Sequence, residues 1–463
     1  MSDGDGGPAG GGPARLTAEE LRLQETREGV PWRTWGPYLS ERQWGTVRED
    51  YSQNGDAWSY FSHDQARSRA YRWGEDGLAG ISDDKQRLCL ALALWNERDP
   101  ILKERLFGLT NAEGNHGEDV KEYYFYVDNL PTHSYQRWLY KYPQAEFPYN
   151  DLVAVNRARS RHELEYELVD TGIFDEGRYF DVEVEYAKAA PEDIVCRITV
   201  HNRSSRDASL HVLPTLWFRN TWSWGSDSPR PRLTRADSPG PVIRAEHREL
   251  GVYYLHAAAG ADLLFCENET NPARIWGAPT VSGFPKDGIG DHLLSGAATV
   301  NPDATGTKAA AHTALGVPGG GQASVLVRLT REGPEALAAP FAGAAELIAR
   351  RRAEADEFYE AITPPAVGDD AKAVMRQALA GMLWSKQCYF FDVDRWLRER
   401  NFHRCACLPG AEPATSPGST CSTTTWCPCR TNGSTPGTRR GISRSTAYRW
   451  PWSIRTSPRA RST

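Results

Sequence analysis

The sequence predicts a mainly β protein: a large antiparallel β-sandwich that hands over, near residue 334, to a helical region that has only begun. Three observations predict this. Apolar and polar residues alternate with period two over several short segments. Those segments follow one another through turn signals, with no helical stretch between them. Beyond residue 334 the apolar spacing changes to that of helices.

Residues 1–29 are expected to be a disordered leader. Met1 to Ala14 is Gly, Pro and Ala with two Asp, and it has neither the basic start nor the apolar stretch of a signal peptide. Residues 30–333 are assigned to the sandwich. Cys89 to Trp95 is a short apolar run bounded by charge, as a buried strand would be. The clearest strand is Tyr179 to Tyr186. Phe180, Val182, Val184 and Tyr186 share one face; Asp181, Glu183 and Glu185 share the other, which is expected to be solvated. Ile194, Cys196, Ile198 and Val200 repeat the pattern, and Leu210–Phe218, Val252–His256, Asp262–Cys266 and Ala323–Leu329 continue it.

Residues 334–403 are expected to hold two helices, Phe341–Ile362 and Asp369–Gln387, separated by Pro364-Pro365. Val374, Ala378, Met382 and Leu383 mark the apolar side of the second. Leu383, Trp384, Tyr389, Phe390 and Phe391 are expected to form an exposed apolar patch, through which the chain could self-associate.

Composition narrows the function. A net charge of −6 argues against nucleic acid and anionic membranes as partners. No apolar run reaches the length of a membrane span. The 16 Trp and 19 Tyr suit large β-sheet cores, and also platforms for sugar rings. Cys89, Cys196, Cys266 and Cys388 are scattered singly, which fits a cytoplasmic, reducing location.

Residues 404–463 are expected to be a disordered, out-of-frame tail. From Asn401 to Thr463 there is one acid, Glu412, no Lys, five Cys and three Trp. Disordered segments are poor in Cys and Trp. With only wobble bases free, Cys427 through Thr446 can be read in a shifted frame as a peptide with acids, aromatics and a helical pattern. The paired C-x-C motifs (Cys405 with Cys407, Cys427 with Cys429) are therefore not assigned to a metal, and neither a metal site nor a cofactor is expected.

The run Glu104 to Asp119 (E-R-L-F-G-L-T-N-A-E-G-N-H-G-E-D), together with Trp35–Asp50, Tyr71–Gly77 and Thr132–Tyr149, resembles the N-terminal domain of bacterial and fungal proteins of glycoside hydrolase family 63, the processing α-glucosidases. The likeness covers roughly residues 30–403. It implies a sandwich followed by an (α/α)6 barrel, here not completed, that carries two catalytic carboxylates. It also implies an inverting hydrolase of oligosaccharides or α-glucosides, in which one carboxylic acid protonates the leaving oxygen and a second carboxylate activates water. Both carboxylates are expected downstream of residue 404, so no residue of this chain receives a catalytic role and the chain is expected to be inactive. The shifted reading of the tail also resembles the family's barrel segment.

Two loops are the candidates for contact with a carbohydrate. In the first, Arg72, Trp73 and Glu75 could stack a sugar and bridge its hydroxyls; a buried Trp with a surface ion pair is the alternative. In the second, Asn111, Glu113, Asn115, His116 and Glu118 could face the barrel mouth; a loop whose polar groups satisfy one another is the alternative. His116, Glu118 and Asp119 fit no strong metal-ligand spacing. Trp217, Trp222 and Trp224, at the end of a strand, read as core or interface. A non-catalytic carbohydrate-binding sandwich and a non-functional fragment are the competing readings of the whole chain.

Overall fold

The computed structural model describes residues 16–39, 62–71, 77–109, 113, 119–224, 229–279, 283–392 and 422–428. All of these lie in the unit spanning residues 1–429. The described strands are β1 Trp35–Gly36, β2 Leu78–Asp83, β3 Leu88–Trp95, β4 Gly108–Leu109, β5 Asp119–Val120, β6 Tyr124–Asn129, β7 Tyr135–Pro143, β8 Tyr179–Ala190, β9 Asp193–Asn202, β10 Ala208–Phe218, β11 Arg232–Arg235, β12 Val242–His247, β13 Gly251–Ala257, β14 Asp262–Cys266, β15 Thr305–Gly306, β16 Lys308–Val317, β17 Gln322–Thr330, β18 Lys386–Asp392 and β19 Ser422–Pro428. The helices are α1 Ala18–Arg27, α2 His63–Ala66, α3 Tyr149–Ala158, α4 Pro272–Trp276, α5 Gly288–Ser295, α6 Ala344–Ile362 and α7 Asp369–Trp384.

Two antiparallel sheets carry the architecture, as the alternation predicts. One has six strands in the order β1-β2-β3-β10-β16-β14; the other has nine, β15-β11-β12-β13-β17-β9-β8-β7-β6. Their inner faces interdigitate. Leu88, Leu90, Leu92 and Leu94 of β3 share one core with Phe180, Val182, Val184 and Tyr186 of β8 and with Ile194, Cys196, Ile198 and Val200 of β9. Period two decides which residues enter it, because successive side chains of a strand point to opposite faces.

The outer face of the nine-stranded sheet is where sequence and structure part. Asp181, Glu183 and Glu185 were expected to be solvated, but Asp181 and Glu185 are buried. The three are neutralised in place. Asp181 meets Lys141 at 2.7 Å and Arg203 at 2.6 Å, Glu183 meets Arg137 at 2.5 Å, and Glu185 meets Arg197 at 2.5 Å and Arg352. Arg352 belongs to α6, which lies over this face and seats Leu347, Ile348, Ala355, Phe358 and Tyr359 against Leu130, Tyr135, Ala187 and Val195. An acidic face can be covered only if cations stand beside it; the neighbouring strands supply most of them and α6 adds Arg352.

Residues 16–29 are also ordered rather than a disordered leader. Thr17 caps α1 through a capping box with Glu20. Glu19 is buried and accepts from the Thr132 amide at 2.7 Å and from the Thr132 and Ser134 hydroxyls at 2.8 and 2.9 Å.

The second predicted helix is present as α7, but turned. Val374 and Met382 of the presumed core side are exposed, whereas Ala380 and Trp384 are buried. Three polar contacts set this rotation: Arg376 pairs with Asp128 and Asp356, and the Trp384 Nε1 donates to the Asp128 carbonyl at 2.8 Å. Trp384 is thus not part of an exposed patch; its indole stacks on Tyr126 with ring centroids 5.8 Å apart. The side chains of Tyr389, Phe390 and Phe391 lie outside the described residues. Their backbone, in β18, pairs antiparallel with β19, a ladder that nothing in the composition of the tail announces.

Candidate functional site

The two candidate loops leave the fold at places that the described residues define. Arg72, Trp73, Glu75, Asn111, Asn115, His116 and Glu118 themselves lie outside the described residues; Glu113 is described and half-buried. The first loop runs between Tyr71, fully buried under the Lys286 ammonium at 4.3 Å from its ring, and Gly77. A Cβ on Gly77 would stand 2.4 Å from Ala91 Cβ, so only glycine lets the chain drop onto the sheet at that point. The second loop leaves and returns on a two-residue ladder, Gly108 opposite Val120 and Leu109 opposite Asp119.

Between β3 and β4 the chain crosses the outer face of the six-stranded sheet and carries Glu104 and Arg105 with it. The small side chains of Ala91 and Ala93 leave room there. Thr215 and Trp217 of β10, Lys308 of β16, and Asn268 and Lys286 complete the walls of a cavity of about 20 Å³ that also touches Gly77. A second cavity of about 60 Å³ shares Glu104, Lys286 and Lys308 and reaches Asp287 and Asp291. Spaces of this size hold one to a few waters, not a sugar ring.

The electrostatics are those of a tight ion cluster. Glu104 accepts from Lys308 Nζ at 2.9 Å. Burial disfavours its charge, but Lys308, Arg105 and Lys286 outweigh burial and hold the carboxyl at about 2. Lys308 also donates to the Lys286 carbonyl at 3.2 Å, and Lys286 Nζ donates to the Arg69 carbonyl at 3.0 Å. Trp217 is 4% exposed, and its buried indole N–H has no acceptor among the described residues. Beside the cluster, burial pushes the Cys266 thiol up to about 12, so it is no nucleophile. Among the described residues no group of three His, Cys, Asp or Glu side chains could hold a metal ion, and no helix is long and apolar enough to cross a membrane.

The arrangement therefore supplies a rigid, charged footing beside two loop bases rather than a reaction centre. Sequence reasoning placed Glu104 and Arg105 in the right run but did not single out Lys286 or Lys308. A lysine heading the run Ala309-Ala310-Ala311 of a buried strand was the available signal.

The pH dependence of this cluster can be tested. Glu104 is depressed in the folded state, so its contribution to stability is complete above the ordinary glutamate value and is lost as pH falls toward 2. Glu104→Gln is expected to destabilise the protein at pH 7 by up to about 3 kcal/mol, with the gap to the parent closing toward pH 3. Urea midpoints of both proteins across that range check it; a constant gap would contradict the assignment.

No family profile matches the chain. It is 41% identical over 424 residues to the uncharacterized protein YMR196W of Saccharomyces cerevisiae, a match that covers 82% of this chain. A solved structure provisionally described as a kojibiose phosphorylase from the human microbiome superposes over 78% of this chain and 40% of its own, with 10% identity and a TM-score of 0.22. The chain spans 39% of the length of the yeast relative that it matches.

Proposed function

We propose that this chain is the sandwich portion of a glucosidase-like glycoside hydrolase acting on oligosaccharides or α-glucosides. The carrying observation is the run Glu104 to Asp119. Its described start, Glu104 and Arg105, lines the same cavity as Gly77, which ends the other candidate loop. In this reading Arg72, Trp73, Glu75, Asn111, Glu113, Asn115, His116 and Glu118 contribute to sugar binding from two loops based on one rigid footing. The acid and base of an inverting reaction belong to a part of the whole protein that this chain does not span. The buried single thiols Cys89, Cys196 and Cys266 support a cytoplasmic setting. The outward side of α7, with Val374 and Met382 exposed, supports association of that face with further protein or a second copy.

The single acid between Asn401 and Thr463 supports loss of reading frame after residue 404. The decisive experiment re-reads the DNA across codons 400–415 and compares two proteins. The present chain is expected to release no glucose from α-glucosides above a mock preparation, and the protein from the restored frame is expected to release it. Glucose release by the present chain would overturn the division of labour. A restored protein that neither binds nor cleaves α-gluco-oligosaccharides would overturn the function.

A further inference from the structure

His211 of β10 and His312 of β16 lie on the outer face of the six-stranded sheet, at the end away from Trp217 and Lys308. The strands run in the register Val212 opposite Thr313, so the two histidines are diagonal neighbours. Their rings are nearly parallel, 3° apart, with centroids separated by 5.0 Å. Yet His211 Nδ1 and His312 Nε2 are only 2.7 Å apart, so the ring planes cannot be separated by a stacking distance. The imidazoles stand side by side, joined nitrogen to nitrogen. The other nitrogen of His211, Nε2, meets Glu97 Oε1 at 3.1 Å.

This chain of contacts assigns the hydrogens. A carboxylate only accepts, so His211 donates Nε2–H to Glu97 and its Nδ1 is left as an acceptor. His312 must then donate its Nε2–H to that nitrogen, leaving its own Nδ1 as a lone pair. One added proton enters at His312 Nδ1 and turns the N–H···N contact into a charge-assisted bond. A second proton has nowhere to go but His211 Nδ1, where it faces the His312 N–H and breaks the contact. We propose that Glu97, His211 and His312 form a proton-sharing clasp that holds with no proton or one added and opens with two.

The surroundings are compatible with this. Asp262 of β14 is the direct cross-strand partner of His312. His292 of α5 also acts on His312, and its own Nδ1–H is used on the Ala297 carbonyl at 2.9 Å. Burial, His211 and His292 together hold His312 below the ordinary imidazole value against the pull of Asp262. Its neutral form is thus favoured by the fold, and the stability it contributes is lost as pH falls. On the strand side, Trp95 packs its indole against His211 at 4.9 Å between centroids.

Glu97, with φ of 61°, begins the crossing segment that carries Lys103, Glu104 and Arg105 over the sheet. Opening the clasp frees the Glu97 side chain, while Asn96, whose Oδ1 accepts from the Arg98 and Asp99 amides at 2.9 and 2.6 Å, and Lys103, paired with Glu122 at 2.7 Å, stay in place. The inference does not depend on the proposed hydrolase function, because it concerns the fold of this chain alone.

Nuclear magnetic resonance of the full chain with labelled histidine tests it. The resonances of His211 and His312 are expected to move together in two steps, separated by about one pH unit or more, as coupled sites do. In His312→Gln, His211 should titrate in a single step. Glu97→Gln removes only a half-exposed surface carboxylate, so it keeps the test valid if the histidine variant fails to fold. It should lower the first step by about half a pH unit. Independent single steps that Glu97→Gln leaves unmoved would overturn the proposal, as would a His211 titration unchanged by His312→Gln.

Discussion

Replacing Lys103 with methionine is expected to cost about 3–5 kcal/mol, among the largest losses available to a single substitution in this fold. Lys103 and Glu122 are both fully buried and meet at 2.7 Å. The Lys103 ammonium also lies 4.0 Å from the Phe147 ring centroid and 4.8 Å from that of Tyr149. Glu122 accepts in turn from the Phe107 amide at 2.6 Å and from the Tyr140 hydroxyl. Without the lysine, a buried carboxylate remains with no countercharge. Even in the intact protein burial holds Glu122 above the ordinary carboxylate value, against the pull of Lys103.

A raised carboxyl favours the fold when protonated and burdens it when charged. The Lys103→Met penalty should therefore be smaller at pH 5 than at pH 8, the same direction as for Glu104→Gln but at higher pH, because Glu122 is held above and Glu104 below the ordinary carboxylate value. A double variant, Lys103→Met with Glu122→Met, should recover much of the loss, because two apolar groups leave no charge stranded. Thermal midpoints of the three proteins check this, with a drop of about 5 °C or more for the single variant. A single variant as stable as the parent would mean that water reaches Glu122.

Trp384→Ala is expected to cost about 3–5 kcal/mol and to free α7 from the sheet. Trp384 is 1% exposed. It is one of two buried residues of α7 and the only one with both a ring contact and a hydrogen bond to β6, through Tyr126 and the Asp128 carbonyl. By contrast, α6 is fixed by seven buried residues along its length. Hydrogen exchange should therefore find the buried turns of α6 as protected as β8 and β9, and the first two-thirds of α7, residues 369–379, exchanging fast. In Trp384→Ala the fast region should extend through residue 384 while α6 remains protected. Uniform protection of both helices in the variant would show that α7 has a partner surface other than β6.

How far the sequence reaches can be judged at particular residues. Phe180, Val182, Val184 and Tyr186 were placed in the core by alternation alone, because a pleated strand gives neighbouring residues no choice but opposite faces. The start of α1 was missed although its signal was present: Thr17 and Glu20 stand at capping-box spacing, but the glycine-rich residues before them pointed to a disordered leader. Alternation could not say what covers the second face of a strand. Asp181 and Glu185 look solvated until Arg197 of the adjoining strand, Arg203 just beyond its end and Arg352, distant in sequence, stand beside them.

The rotation of α7 shows the same limit in a helix. Its apolar stripe, Val374 to Met382, was plain in the sequence, but hydrophobic spacing predicts only that one face differs from the other. Which face meets the sheet was decided by Asp128, which offers a carboxylate to Arg376 and a carbonyl to Trp384. The candidate site divides likewise. Glu104 and Arg105 sit in a run that stands out by itself, whereas Lys286 and Lys308 belong to segments about 180 and 200 residues away; Lys308 joins them because β16 pairs with β10 beside β3, and Lys286 because its carbonyl accepts from Lys308. The sequence by itself determined the class of fold, the strand faces and the switch to helices, because those follow from local periodicity. Only the tertiary structure decided which charges are buried together, since a charge is tolerated in the interior only where strand pairing and packing bring it a partner.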